Sequence, residues 1–415
     1  MKIIKTYLSK NKDLIFLLFL GFIIRLLLIN RGTYFPDLYT FQEWSLALIR
    51  YPFNKFYSTI TVDYLPGYMY FLWLTGKIYY FINAKLFYIP AEIVYKIPSL
   101  LADLLNALIV YAIINKISDR RKAIKGTAFF LFNIAFISNS VLWGQIDSVV
   151  ATFILASLYF HLNGNLYPSI LLASIGQTIK PVVVLVIPFY LLVLLKKRKF
   201  KQIIISLILM IIVYACIFIP FNNKNLVAFI IERNLHSIEV WKYTTLNAFN
   251  LWLVITSFFN ETYNLISDQN GIFGLSYKVW GNLVFFLFYT SLLCTYFKNT
   301  IKKSVDSSLL FSYLMFIFLG MFHFMTRMHE RHSYYGLIFA TLLLTLTKNK
   351  VVQYLILILI LLYPLNLMFS YEVSRGKVIF NESTVVFLSA INVLVFAFLF
   401  IKLLRNTHKL RSKLH

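Results

Sequence analysis

Ionisable and amide side chains gather in a few short motifs of this chain. The first is Asp37, in Tyr34-Phe-Pro-Asp-Leu-Tyr. A carboxylate in a setting of low polarity becomes more basic and can accept the proton of a hydroxyl group. The alternative is a helix N-cap, because Asp37 precedes Phe41, Glu43 and Trp44 in a possible short helix. Asp37 is therefore a candidate general base.

Two further motifs offer groups for a polar ligand. Trp143-Gly-Gln145-Ile-Asp147 places an aromatic ring, an amide and an acid within five residues. Such groups suit the binding of a polar headgroup, although Trp143 could equally anchor the chain at a membrane interface. Asp63 opens Asp63-Tyr-Leu-Pro-Gly-Tyr, where the Pro-Gly pair predicts a turn, so this carboxylate is either a ligand or part of a plain loop.

Cationic side chains form two candidate anion sites. Lys180 precedes Pro181, which is predicted to end a helix. The Lys180 ammonium could then face a phosphate. The alternative is that the side chain snorkels to the membrane interface. The second is Arg327-Met-His329-Glu330-Arg331-His332. Its histidines are spaced i, i+3, whereas zinc hydrolases use i, i+4, so phosphate or diphosphate binding fits better. The alternative is a solvated loop between two spans.

Two other polar groups have mainly structural alternatives. Asn247 and Asn250 lie in Thr245-Leu-Asn-Ala-Phe-Asn-Leu-Trp252, where amides could bind sugar hydroxyls beside aromatic faces, or could cap a helix. Asp103 lies within an apolar segment, where a carboxylate needs a partner. We expect it to brace helix packing through Asn106 or another polar residue.

The elements that carry these motifs are apolar. Hydrophobic residues make up 60% of the chain and charged residues 13%, and the mean hydropathy is +0.74, which excludes a soluble domain of this length. The sequence predicts an all-α polytopic membrane protein with about twelve transmembrane helices, formed by residues 1–415 as a single domain. The predicted spans are Leu14–Ile29, Val94–Ile114, Lys125–Leu142, Ser148–Leu162, Ser169–Ile179, Val182–Leu195, Ile203–Ile219, Val279–Phe297, Leu309–Met325, Tyr335–Leu346, Val351–Phe369 and Thr384–Ile401.

Lysine and arginine clusters orient these spans. Clusters in short loops mark the cytoplasmic side, and they include residues 2–12, 116–125, 196–201, 298–303, 348–350 and 405–413. Both termini are then cytoplasmic, and the motifs above share the extracytoplasmic face. The net charge of +24 is mostly this orientation signal, with some attraction to anionic lipid, and is not evidence for nucleic acid.

One apolar segment does not fit a simple alternation of spans. Counting Gly67–Ile82 as a span would move the cluster at residues 116–125 to the outer face. The segment is rich in Tyr and Trp, which concentrate at interfaces. We therefore predict a juxtamembrane helix within a long first outer loop, Asn30–Ile93, with a true span as the alternative.

The set of motifs resembles the GT-C superfamily of membrane glycosyltransferases. The resemblance covers residues 14–332, is most specific at Trp143–Asp147 and Asn247–Trp252, and is nearest to the bacterial and archaeal relatives of GPI mannosyltransferase II. It departs at Leu65, where relatives often have a second Pro, and residues 333–415 add C-terminal helices without a motif.

The resemblance implies an activity and a set of roles. It implies an inverting transfer of a hexose, with mannose suggested, from a polyprenyl-phosphate donor to an extracytoplasmic glycan, glycolipid or protein acceptor. Asp37 is then the catalytic base, and Lys180 and Arg327–Arg331 face the lipid phosphate. The remaining substrate-binding candidates are Asp63, Trp143, Gln145, Asp147, Asn247 and Asn250.

Several points stay open at this level. The sequence assigns no cofactor and leaves a divalent cation open, and Cys216 and Cys294 are expected to act as small apolar residues in spans. The rivals are a transporter or flippase of lipid-linked saccharide and a non-catalytic binding partner. A transporter would place polar groups near the midplane in matching halves, whereas these motifs collect at one surface. The expected location is the cell membrane, if the source is prokaryotic.

Overall fold

Helices form almost all of the regular structure. A computed structural model describes residues 11–222, 225–259, 265–302, 307–377 and 379–412, and 79% of it is helical. The only strands among these residues are four two-residue segments. The all-α prediction is therefore confirmed. Parts of three of the basic clusters, residues 2–10, 303 and 413, lie outside the described residues.

The chain divides into two compact units, residues 1–240 and 241–415. Unit 1 contains thirteen described α-helices, with a π-helical turn at Ser138–Trp143 and 3₁₀ turns at Pro181–Val186 and Ile219–Phe221. The helices are α1 Lys12–Leu28, α2 Phe35–Arg50, α3 Phe53–Thr59, α4 Pro66–Lys85, α5 Ala91–Val94, α6 Ile97–Ile117, α7 Arg120–Leu131, α8 Ile134–Ile137, α9 Asp147–Leu162, α10 Leu166–Ile179, α11 Ile187–Lys196, α12 Phe200–Phe218 and α13 Leu226–Glu239.

Unit 2 combines six described helices with two very short strand pairs. The elements are β1 Thr245–Leu246, α14 Leu251–Phe259, β2 Gly271–Ile272, β3 Leu275–Ser276, α15 Tyr277–Lys302, α16 Ser307–Phe324, β4 Met328–His329, α17 Tyr334–Leu346, α18 Lys350–Ser374 and α19 Glu382–Ser412. Helix α16 is its core, since nearly every side chain from Leu310 to His323 is buried. Strand β1 pairs in parallel with β4, so two motifs distant in sequence meet.

Six helical segments among the described residues are long and apolar enough to cross a membrane, and α7 with the bent segment Ile134–Trp143 makes a seventh if counted as one span. The six are Ala91–Ile117, Phe200–Phe221, Tyr277–Asn299, Ser307–Phe324, Lys350–Ser374 and Glu382–Leu403. Shorter apolar helices lie at Asp147–Leu162, Leu166–Ile179, Pro181–Lys196 and Tyr334–Leu346, where the sequence predicts short or broken spans. The chain is a polytopic helical membrane protein.

Two predicted segments fall outside these candidates. Helix α1 has 17 residues and carries Asp13 and Arg25. Segment Gly67–Ile82 forms most of the 20-residue helix α4. This helix is long enough to cross a membrane but is not apolar enough to be among the candidates. Its location at the outer interface stays a prediction. Helix α4 packs closely on α10, because a Cβ at Gly67 would come within 2.6 Å of the Thr178 carbonyl oxygen.

Helix α6 forms the centre of unit 1 and packs against α7 and α9. Asp103 of α6 accepts hydrogen bonds from the Arg25 Nε at 2.8 Å and the Ser140 hydroxyl at 2.6 Å. The structure supports the predicted bracing role through the second alternative, another polar residue, since the partners are Arg25 and Ser140 and not Asn106. The Asn106 amide donates instead to the Ser148 carbonyl at 2.8 Å, because α9 passes beside it.

Candidate active site

Asp37 lies in the first turn of α2, where the helix N-terminus favours a carboxylate. The alternative prediction of an N-cap is wrong, because the helix begins at Phe35, with Tyr34 at the cap position. Pro36 accounts for this earlier start, since its fixed φ suits a first turn and its missing N–H is not needed there. The Asp37 carboxylate is half-buried.

Two side chains of the Trp-Gly-Gln motif hold one oxygen of Asp37. The Trp143 Nε1 donates to Asp37 Oδ2 at 2.7 Å, and the Gln145 amide nitrogen makes a short hydrogen bond to the same oxygen. Trp143 and Gln145 are both buried. Among the described residues no donor reaches Asp37 Oδ1. The carboxylate is therefore fixed in place by one oxygen while the other remains available as a proton acceptor.

The glycine of this motif allows both donors to converge. The π-helical turn ends at Gly144, which has a φ of +96°. Glycine adopts this conformation at little cost, and π-helical turns often occur at functional sites. The Lys96 side chain also occupies the space that a Cβ would need, with its Cε 3.2 Å from that position. Lys96 in turn donates to the Ile29 carbonyl at 2.8 Å, which ties the end of α1 to this turn.

Asp147 and Lys180 form a buried ion pair close to this carboxylate. The Lys180 Nζ is 2.6 Å from Asp147 Oδ1, and the Asn139 amide donates to Oδ2 at 3.1 Å. Asp147 is fully buried and Lys180 is 9% exposed. The Lys180 ammonium also lies 5.6 Å from the ring centroid of Tyr64. The structure thus brings two sequence candidates into direct contact.

Tyr64, which follows the predicted Asp63, reaches these groups. The Tyr64 hydroxyl donates to the Gln145 side-chain oxygen at 3.3 Å. Asp63 is half-buried and lies close enough to Tyr57 to help raise the pKa of that phenol. The larger cause is burial, which raises the pKa of Tyr57 and that of Tyr68 well above 10.0. Both phenols therefore stay protonated at neutral pH.

In unit 2 the predicted basic cluster is held by carboxylates. The Arg327 Nε is 2.6 Å from Asp268, which is fully buried, and Arg327 has a φ of +64°. The Arg331 guanidinium lies 2.7 Å from Glu330, whose other oxygen is 3.9 Å from the His329 ring. Arg331 and Glu330 are both buried. These ion pairs give both arginines a structural role in the loop before α17.

The amide-rich motif meets this cluster within unit 2. An isolated antiparallel bridge between Asn247 and His329 lies next to the parallel pairing of β1 with β4. The Asn247 amide donates to the Ser370 hydroxyl at 3.2 Å, and that hydroxyl donates to Glu330 at 3.3 Å. Asn250 and Trp252 instead donate to main-chain oxygens at the end of α16, at 3.2 and 2.7 Å. Their observed contacts therefore anchor α14.

Three site residues were not singled out from the sequence. Tyr64 contacts Gln145, and Asn139 contacts Asp147. The Tyr34 ring stacks on Trp143 with centroids 4.0 Å apart. Tyr64 and Tyr34 lie inside the quoted motifs, so their neighbours were a signal; Asn139 had none. The described residues contain no group of three or more His, Cys, Asp or Glu side chains that could hold a metal ion.

Comparison with known proteins assigns the family. The model of glycosyltransferase family 87 matches residues 78–346, well over half of the chain. The matched part contains Trp143–Asp147, Lys180 and the motifs of unit 2, and begins after Asp37 and Tyr64. No curated protein matches the chain. The chain belongs to glycosyltransferase family 87 and is a membrane glycosyltransferase that uses a sugar donor and an acceptor.

Proposed function

We propose that this glycosyltransferase moves a hexose from a polyprenyl-phosphate carrier to an acceptor hydroxyl, with Asp37 as the general base. The observation that carries the proposal is the Asp37 carboxylate, whose Oδ2 accepts from Trp143 and Gln145 while Oδ1 receives no donor from the described residues. A base needs this combination of a fixed position and an open acceptor.

The proposed reaction is a single displacement. The acceptor oxygen attacks C1 of the sugar from the face opposite the phosphate, and its proton passes to Asp37 Oδ1. The bond between C1 and the phosphate oxygen breaks, and the electron pair leaves with the polyprenyl phosphate. The configuration at C1 is inverted. Mannose is the sugar that the motif resemblance suggests.

The leaving phosphate needs positive charge or hydrogen-bond donors. We propose Lys180 as a contributor. The motif resemblance assigns the same role to Arg331 and Arg327, and it adds His329 and Asn247 as candidate contacts of the substrate. In the structure each of the three cations pairs with a carboxylate, namely Asp147, Glu330 and Asp268. We expect Lys180 and Arg331 to contribute to donor binding.

The donor class is tested with purified protein in lipid nanodiscs. Synthetic short-chain polyprenyl-phosphate mannose, glucose and galactose, each with a radiolabelled sugar, are incubated with total lipid and glycan extracts as acceptors. We expect transfer from at least one of these polyprenyl-phosphate sugars. The variants Lys180→Met and Arg331→Met should each bind the donor about tenfold or more weakly, because each loses a charge-assisted contact. GDP-mannose and UDP-glucose serve as controls, and transfer from these nucleotide sugars alone would contradict the proposal.

We further propose that the site faces the extracytoplasmic side, since the Lys/Arg clusters favour that orientation. Single cysteines test it in a background with Cys216 and Cys294, which are both exposed, replaced by alanine. The exposed positions Ser58 and Gln269 should react with an impermeant thiol reagent in intact cells, and Arg121 only after permeabilisation. If Arg121→Cys were labelled in intact cells while Ser58→Cys was protected, the orientation of the protein would be the opposite of the one proposed.

A further inference from the structure

Tyr64 contacts a partner of each of two carboxylates, Asp37 and Asp147. Its hydroxyl donates to the side-chain oxygen of Gln145, which holds Asp37 through its amide nitrogen. Its ring lies 5.6 Å from the ammonium of Lys180, which is paired with Asp147. The Tyr64 side chain therefore contacts both Gln145 and Lys180.

The orientation of the Gln145 amide matters for Asp37. A primary amide has one accepting end and one donating end, and Asp37 requires the donating end. The accepting end receives the Tyr64 hydroxyl and the Ile146 N–H, each at 3.3 Å. If the amide turned over, its oxygen would face the Asp37 carboxylate, and the two oxygens would repel each other. The hydroxyl of Tyr64 opposes that rotation.

We propose that Tyr64 is a positioning residue of the transfer reaction, which orients the Gln145 amide so that Asp37 is held as a base. This inference rests on the proposed role of Asp37. Tyr64 is not a catalytic residue in this scheme, because it acts on Asp37 through Gln145. The resulting order of contacts is Tyr64, Gln145, Asp37 and then the acceptor hydroxyl.

Both the ring and the main chain of Tyr64 are held in place, as a positioning residue requires. Its ring makes an edge contact with the Trp44 ring at 5.4 Å between centroids, and it also packs against Phe41 and Tyr68. The Tyr57 hydroxyl donates to its main-chain oxygen at 2.9 Å. Since Trp44 and Phe41 belong to the helix that carries Asp37, the base and its positioning residue share one packed group of rings.

The central test compares Tyr64→Phe with Tyr70→Phe. Both variants remove one phenolic hydroxyl that donates a single hydrogen bond, but the Tyr70 hydroxyl donates to the Ile217 carbonyl and does not reach the network around Asp37. We expect Tyr64→Phe to lower kcat about three- to tenfold, the effect of one neutral hydrogen bond, with KM for the donor unchanged. Tyr70→Phe should keep the wild-type kcat. The probe is a radiolabelled synthetic polyprenyl-phosphate hexose, with melting temperatures measured in parallel.

A double-mutant cycle shows whether Tyr64 acts through Gln145. Once Gln145→Leu has removed the amide, adding Tyr64→Phe should cause no further loss. Equal losses in both backgrounds would overturn the inference, since Tyr64 would then act independently of Gln145. A fall in melting temperature with kcat and KM both altered would also overturn it, because that pattern indicates a packing role.

The same assays separate this inference from the proposed function. If Asp37→Asn retains wild-type activity, the assignment of the base fails, and this inference fails with it. If Asp37→Asn is inactive while Tyr64→Phe matches Tyr70→Phe in kcat and KM, the base stands and only the role of Tyr64 is wrong.

Discussion

Asp37→Asn is expected to lower kcat by roughly 10²–10⁴-fold, the usual contribution of a positioned base. The substitution keeps the size of the side chain, and the asparagine oxygen can still accept from Trp143 and Gln145. Its amide nitrogen then takes the place of Oδ1 and cannot accept a proton. We therefore expect the variant to fold and to bind donor like the wild type. Initial rates of transfer and equilibrium binding of the donor measure the two effects separately.

The matched control for this prediction is Glu43→Gln. Glu43 is an exposed carboxylate on the same helix, so the change removes the same charge without touching the network. We expect its kcat to equal that of the wild type. Near-full activity of Asp37→Asn would remove Asp37 from the mechanism and would direct attention to Asp63 or Asp147.

The helices were largely predictable because the bilayer imposes a simple pattern on the sequence. Long apolar segments at Val351–Phe369 and Thr384–Ile401 lie within α18 and α19, and the short segment Ser169–Ile179 lies within α10. Helix α4 was predicted as a juxtamembrane helix from its Tyr and Trp content and from the flanking basic clusters, and it is less apolar than the membrane-span candidates. The π-helical turn was not predicted, because hydropathy carries no signal for its i, i+5 bonding, in which the Gly144 N–H donates to the Asn139 carbonyl at 3.2 Å.

The site was predictable as a set of motifs but not as a set of contacts. Trp143 and Gln145 were candidates because of their residue types, yet their convergence on one oxygen of Asp37 depends on a left-handed glycine. Lys180 was expected to face a phosphate, and its pairing with Asp147 could not be read from positions 33 residues apart. Long-range pairing of this kind depends on how α9 and α10 pack, which local sequence does not encode.

Arg25→Met is expected to destabilise unit 1 by about 3–5 kcal/mol, because it leaves Asp103 as a buried charge without its partner. Both side chains are fully buried, so solvent does not screen the pair. The Arg25 guanidinium also donates to the Leu131 carbonyl at 2.9 Å, which links α1 to the end of α7. The melting temperature in nanodiscs, followed by tryptophan fluorescence, measures the loss. The control is Arg120→Met, at an exposed pair with Asp13 worth about 0–1 kcal/mol.

Removing both charges should largely reverse this effect. Among the described residues, the second guanidinium nitrogen of Arg25 and the Oδ1 of Asp103 have no hydrogen-bond partner, so the pair is incompletely compensated for its burial. Replacing a buried ion pair with apolar residues of similar volume is often neutral or stabilising. We therefore expect Arg25→Met/Asp103→Leu to melt at or above the wild-type temperature and to keep its transfer activity, since neither residue contacts Asp37. A double variant as unstable as Arg25→Met, or one that folds but is inactive, would show that Asp103 has a role beyond packing.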